Sequence, residues 1–167
     1  LAIELLQRLI KDEVRSKFRT NVVKQRKFSD LLEKSLSKYA NRAVEAAQVI
    51  EELIAMAKQF KGDLARREDH DLNDDEEAFY DALAKNESAQ ELMGEEILVE
   101  MAREVAKKLR DNLTVDWAVR DSVRAKLRIL IRNLLRRYKY PPDEQEEATE
   151  LVLSQAENIA EELSGNV

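Results

Sequence analysis

The stretch VDWAVRDSVRAKLRILIRNLLRRYKYPP, residues 115–142, decides the fold class. Val119, Val123, Leu127, Leu130, Ile131, Leu134 and Tyr138 recur every three or four residues, the spacing that gathers them on one side of an α-helix. Arg120, Arg124, Arg128, Arg132 and Arg136 follow one another at four-residue intervals. On a helix of 3.6 residues per turn they drift by about 40° per step, so they form one basic stripe beside the apolar face. Pro141-Pro142 forbids continuation, and Thr114 or Asp116 is placed to cap the start. A helix near 115–138 is thereby bounded at both ends.

The flanking sequence repeats the same period. From Leu1 to Lys61 there is neither Gly nor Pro, and Ile3, Leu6, Ile10, Val14 and Phe18 mark an apolar face. Whether the chain breaks near Thr20–Val23 stays open. Leu32, Leu36, Tyr39, Ala43, Ala46, Ile50, Leu53 and Ala57 step by fours and threes, which predicts a long helical region near 1–61. That seam suits packing inside the chain's own bundle or a coiled coil between chains. Gly62 is expected to end it in a left-handed turn, with a charged loop over residues 66–77. Asn73 or Asp74 then caps a short helix carrying Ala78, Phe79, Ala82 and Leu83. After a turn at Asn86–Ser88, Leu92, Ile97, Leu98, Met101, Val105 and Leu109 resume the period, with Gly94 as a weak point. Pro142 opens a last helix whose inner side is Leu151, Val152, Gln155, Ile159 and Leu163. The expectation is an all-α bundle of about six to seven helices in a single domain, 1–167.

Composition agrees. Of 167 residues, 37% are charged, 5% are aromatic, and there are only 3 Gly, 2 Pro and no Cys. β-Proteins consume Gly and Pro in their turns, and a disulfide scaffold or thiolate metal site needs cysteine. No run approaches the roughly 20 apolar residues of a membrane span, so the protein is expected to be soluble and cytoplasmic. Leu1-Ala2-Ile3 already belongs to an apolar pattern, which predicts a fragment of something larger. The net charge of -6 conceals segmentation: residues 1–60 carry 12 basic and 8 acidic side chains, 61–100 carry 4 and 14, 101–140 carry 12 and 4, and 141–167 carry none and 8. Such blocks either pair across a bundle or face a partner.

Catalytic constellations fail one by one. Asp69, Asp71, Asn73, Asp75 and Glu77 alternate like calcium-loop ligands, but Asp74 stands where the sharp turn needs Gly, and Tyr80 where a bidentate Glu is needed. His70, the only histidine, has no nucleophile elbow to serve and reads as an exposed bystander. No glycine precedes a lysine in a phosphate loop. Trp117 and Phe79 are expected in the core, while Tyr80 is expected to be partly exposed. No catalytic, cofactor-binding or metal-binding residue is predicted.

Longer runs carry a resemblance. Phe28-Ser29-Asp30-Leu31-Leu32, Tyr39-Ala40-Asn41-Arg42 and Ile50-Glu51-Glu52-Leu53 are followed by Glu77-Ala78-Phe79-Tyr80-Asp81-Ala82-Leu83, and then by Asp116-Trp117, Arg120, Val123-Arg124-Ala125, Leu127-Arg128, Leu134-Leu135 and Tyr138-Lys139-Tyr140-Pro141-Pro142-Asp143. Together they resemble the C-terminal region of type I restriction enzyme R subunits, from about Asn21 to Leu163. One departure stands out: Asp71 takes the place of the glycine in the family's frequent Leu-Gly-Leu. The resemblance implies a parent that is an ATP-dependent, site-specific deoxyribonuclease using ATP and Mg²⁺, with cleavage and translocation in other domains. It also implies that this helical domain docks the subunit onto the methyltransferase and specificity subunits.

Three readings therefore follow. The leading one is a noncatalytic assembly domain that binds the methyltransferase core through Arg120, Arg124, Arg128, Arg132 and Arg136, or through Tyr80 and its neighbouring acids. A second is contact of the same arginines with the DNA backbone, for which five phosphate contacts predict a log–log salt slope of roughly -4 to -5. The third is a purely structural role.

Overall fold

Apolar residues at helical spacing, caps between them and almost no β-branched runs produce helices throughout the described residues, which in this computed structural model are 2–41, 45–112 and 120–165. Among them stand eight α-helices, one 3₁₀ turn and no strand: α1 Ala2–Lys17, α2 Val22–Ala40, α3 Ala46–Asp69, α4 Asp74–Ala84, α5 Glu87–Met93, α6 Glu95–Asn112, α7 Arg120–Arg137, the 3₁₀ turn Pro142–Glu144, and α8 Gln145–Gly165. The all-α class is as expected. Trp117 and the proposed caps Thr114 and Asp116 lie outside the described residues. The chain gathers into two compact units, Leu1–Arg19 with Val23–Asp71 and Thr20–Val22 with Leu72–Val167.

In the first unit α1 packs on α3, and the core is built from Ile3, Ile10, Val14, Phe18, Phe28, Leu32, Val49, Leu53, Met56 and Phe60. Three rings meet at its centre: Phe18 and Phe28 stack at 6.1 Å, and Phe60 meets them edge-on at 5.0 and 5.5 Å. Beside the rings the buried Asp63 carboxylate accepts from Lys24 Nζ and Lys27 Nζ, both at 2.9 Å. Burial pushes the Asp63 carboxyl upward, but the two ammonium groups outweigh it and hold its pKa below the usual value.

The long helical region expected near 1–61 is divided. Gln25 Nε2 caps the end of α1 by donating to the Phe18 and Arg19 carbonyls. In the second unit the backbone of Thr20–Val22 finds side-chain partners on α8: Val22 N–H donates to Gln155 Oε1, and the Thr20 carbonyl accepts from Gln155 and Asn158. These bonds replace the intrahelical ones that continuation would have made. The seam is interrupted as well, since α2 ends at Ala40, and Tyr39, Ala46 and Ala57 are exposed rather than buried. Gly62, by contrast, ends nothing. α3 runs through it to Asp69, because Arg and Glu are good helix formers and the residues on either side pack Phe60 and Asp63 inward. The connection shrinks from the expected 66–77 to residues 70–73, and His70 is half-buried rather than exposed.

In the second unit α4 packs on α6 and α8, and α7 packs on α8 and, less extensively, on α6. Asn73 caps α4 in a reciprocal box with Glu76. Gly94 is not inside a helix: at φ 82° and ψ 160° it separates α5 from α6, a backbone shape reserved for glycine. The break removes Leu92 and Ile97 from the inner face on which the sequence placed them, and they stand 76% and 43% exposed. Leu98, Met101, Val105 and Leu109 are buried as expected. Pro142 opens the 3₁₀ turn, and α8 follows with Val152, Gln155 and Ile159 inside.

Candidate docking surface

α7 ends in a built stop. Lys139 adopts φ 59°, its N–H donates to the Arg136 carbonyl, and Tyr140 N–H reaches back to the Leu135 carbonyl at 2.9 Å. This is the Schellman arrangement, and its usual apolar contact is provided by Tyr140 and Leu135, both buried. The Tyr140 hydroxyl then donates to the Leu83 carbonyl at 2.7 Å. Burial pushes the Tyr140 pKa up to about 12. The end of α7 is thus tied to the last turn of α4, which fixes the height at which the arginine stripe stops.

Along α7, Leu127, Ile131, Leu134 and Leu135 face inward. The stripe drifts relative to that face, and its members meet different surroundings. The side chain of Arg120 lies outside the described atoms. Arg124 Nη1 bonds Glu157 Oε1 at 2.5 Å and its Nη2 lies 3.9 Å from Glu150. Arg128 grips Glu150 with two nitrogens, at 2.8 and 3.3 Å. Each of these half-exposed pairs contributes on the order of 0.2–1 kcal/mol, with the bidentate one at the upper end. Arg132 and Arg136 are different: no described acid bridges either. Arg136 is exposed and Arg132 half-buried.

The acidic last helix, α8, therefore neutralises the middle of the stripe and leaves its C-terminal half open. Arg137, outside the stripe, bridges Glu104 on α6, whose carboxylate also accepts from the Tyr138 hydroxyl and lies 3.6 Å from Lys108. One turn before Arg132 and two turns before Arg136, on the same outer side of α7, stands Ile129, 57% exposed. The sequence reading passed over Ile129, although its helical angle, nearly opposite Leu127, already placed it outside.

Tyr80 does not belong to this surface. It is 9% exposed, contrary to the expected partial exposure, because α4 is sandwiched between α6 and α8 and buries both Phe79 and Tyr80. Of the acids near it, Glu77 is also buried, while Asp75 and Glu76 lie near Arg110 and Arg103, each pair at 4.0 Å. Among the described residues no group of three or more His, Asp or Glu could hold a metal ion, and no helix is long and apolar enough to cross a membrane.

Comparison with known proteins places these features in a family. Residues 1–162 match the family model described as type I restriction enzyme HindI endonuclease subunit-like, C-terminal. The chain is 40% identical over 165 residues to the type I restriction enzyme HindI endonuclease subunit of Haemophilus influenzae, which covers 99% of this chain and 16% of that protein. It is 25% identical over 133 residues to a protein of Methanocaldococcus jannaschii described as a candidate type I restriction enzyme MjaIXP endonuclease subunit, covering 79% of this chain and 13% of that protein. The chain thus spans about one sixth, or less, of the length of the curated relatives it matches. No solved structure matches it. A helical chain with an arginine-striped, Schellman-terminated α7, matched along nearly its whole length, belongs to the family of C-terminal domains of HindI-like type I restriction enzyme endonuclease subunits.

Proposed function

We propose that the domain is a noncatalytic assembly module, docking its endonuclease subunit onto the methyltransferase core through the outer face of α7. The observation that carries this reading is the open half of the stripe: Arg132 and Arg136, bridged by no described acid, lie one and two turns beyond the exposed Ile129 on the same side of α7. Arginine is one of the residue types enriched in interface hot spots, and the neighbouring aliphatic side chain adds apolar surface that a partner would bury. The opposite assignment, a purely structural stripe, accounts for Arg124 and Arg128, which α8 already engages. Two cations and one aliphatic side chain suit a protein surface with acidic and apolar groups more than a phosphate backbone. The sequence carries no phosphate-cradling glycine loop for ATP, so ATP and Mg²⁺ belong, on this reading, to segments of the parent outside the chain.

The test uses the full-length subunit and the purified core of modification and specificity subunits. Arg132→Glu with Arg136→Glu is expected to weaken association at least about tenfold, equivalent to about 1.4 kcal/mol. Arg128→Ala is expected to change it less than about twofold. Unchanged binding by the double variant refutes the α7 assignment. DNA contact by the same residues makes a separable prediction: the double variant would flatten the log–log salt slope of DNA binding by roughly two, from two lost phosphate contacts.

A further inference from the structure

The loop at Gly94 creates a second surface that the arginine stripe does not explain. The positive φ of Gly94 separates α5 from α6, and Leu92 and Ile97 on either side of it stand 76% and 43% exposed. No atom comes within 4 Å of a Cβ built on Gly94, so space around the turn is open. Leu92 stands largely in water and Ile97 partly so, and a complementary surface would bury the apolar area that both leave exposed.

Their surroundings carry one sign. Glu91 precedes Leu92, and Glu96 and Glu100 flank Ile97 on α6; all three are exposed, and no described cation bridges any of them. Glu104, two turns beyond Ile97 on the same helical side, is by contrast already held by Arg137 and Lys108. An apolar tip framed by uncompensated carboxylates repels nucleic acid and other acidic surfaces. It complements an apolar socket whose rim bears lysine or arginine.

We infer that the turn at Gly94, with the exposed Leu92 before it and Ile97 after it, is a docking element for a protein partner presenting an apolar pocket rimmed by basic side chains. The inference rests on the assembly reading in taking that partner to be a subunit of the same complex. It is independent of α7, because the charge it requires of the partner is the opposite one. Two faces of opposite sign on one unit would also fix orientation, since a partner turned around would meet like charge at both.

The experiment measures association of the full-length subunit with the purified methyltransferase core at low and moderate salt. Leu92→Ser with Ile97→Ser, and separately Glu91→Lys with Glu96→Lys, are each expected to weaken binding about tenfold or more while far-UV circular dichroism and melting stay unchanged. The acid-to-lysine pair is expected to lose most of the salt dependence as well. If the wild-type subunit binds the core and both variants bind equally well, the turn is not the docking element and the assembly reading survives. Absence of wild-type binding removes both. A photoactivatable benzophenone at position 92 of the otherwise unaltered subunit provides a check free of folding effects. Labelling of the core beside lysine or arginine supports the inference, whereas labelling of the subunit itself, or of a second copy of it, overturns it.

Discussion

Replacing Asp63 by Asn tests the centre of the first unit. The Asp63 side chain is 4% exposed and accepts from Lys24 and Lys27, whose side chains are 7% and 34% exposed. Lys24 Nζ also lies 6.0 Å from the Phe18 ring centre, so its charge sits against an apolar wall. Removing one partner of a buried ion pair costs about 3–5 kcal/mol, because the other charge stays behind. Asn retains a carbonyl that accepts one hydrogen bond, and Lys27 reaches water, which places the expected loss near the lower limit, about 3 kcal/mol. Urea unfolding followed by far-UV circular dichroism reads this directly. Asp63→Asn combined with Lys24→Met removes both buried charges and is expected to recover most of the loss, to within about 1 kcal/mol of wild type. The wild-type contribution also depends on pH. The folded pKa of Asp63 is depressed, so the stabilisation is fully present above the unfolded value and disappears as pH falls below about 4 through the folded value. A single variant that loses less than about 1 kcal/mol, or a double variant no more stable than the single one, refutes the argument.

Two further outcomes follow from backbone and burial. Lys139→Gly is expected to stabilise the fold by about 1 kcal/mol and Asp71→Gly by about 0.5 kcal/mol. Both residues adopt positive φ, 59° and 51°, and aspartate tolerates that region better than lysine; Lys139→Ala, measured by the same urea titration, should give no gain. Tyr140→Phe leaves the Leu83 carbonyl without its 2.7 Å donor and is expected to cost about 1–2 kcal/mol. Because burial raises the Tyr140 pKa from its usual value near 10 to about 12, its neutral form stabilises the fold below pH 10. Wild type should therefore lose stability from pH 10 toward 12, in a component absent from Tyr140→Phe.

Asp71, the departure from the pattern that the resemblance led one to expect, sits where the chain turns through φ 51°, and its N–H donates to the Glu68 carbonyl to close α3. Aspartate is among the few side chains that enter this region at modest cost, so the positive φ here does not require glycine.

Local chemistry was legible in the sequence wherever it acts within a few residues. The period of α7, the Asn73 cap of α4, the stop after Tyr138 and the inner residues Leu98, Met101, Val105 and Leu109 depend on spacing and capping alone. The family, too, followed from residue runs. Tertiary structure decided which arginines of a regular stripe are engaged, because that depends on Glu150 and Glu157 of α8 lying opposite Arg124 and Arg128 and stopping short of Arg136. It also decided that Tyr80 is buried, that α3 continues through Gly62, and that Leu92 and Ile97 face water. Periodicity assigns a residue to a side of a helix; whether that side meets another helix, an ion or water is set by elements distant in sequence.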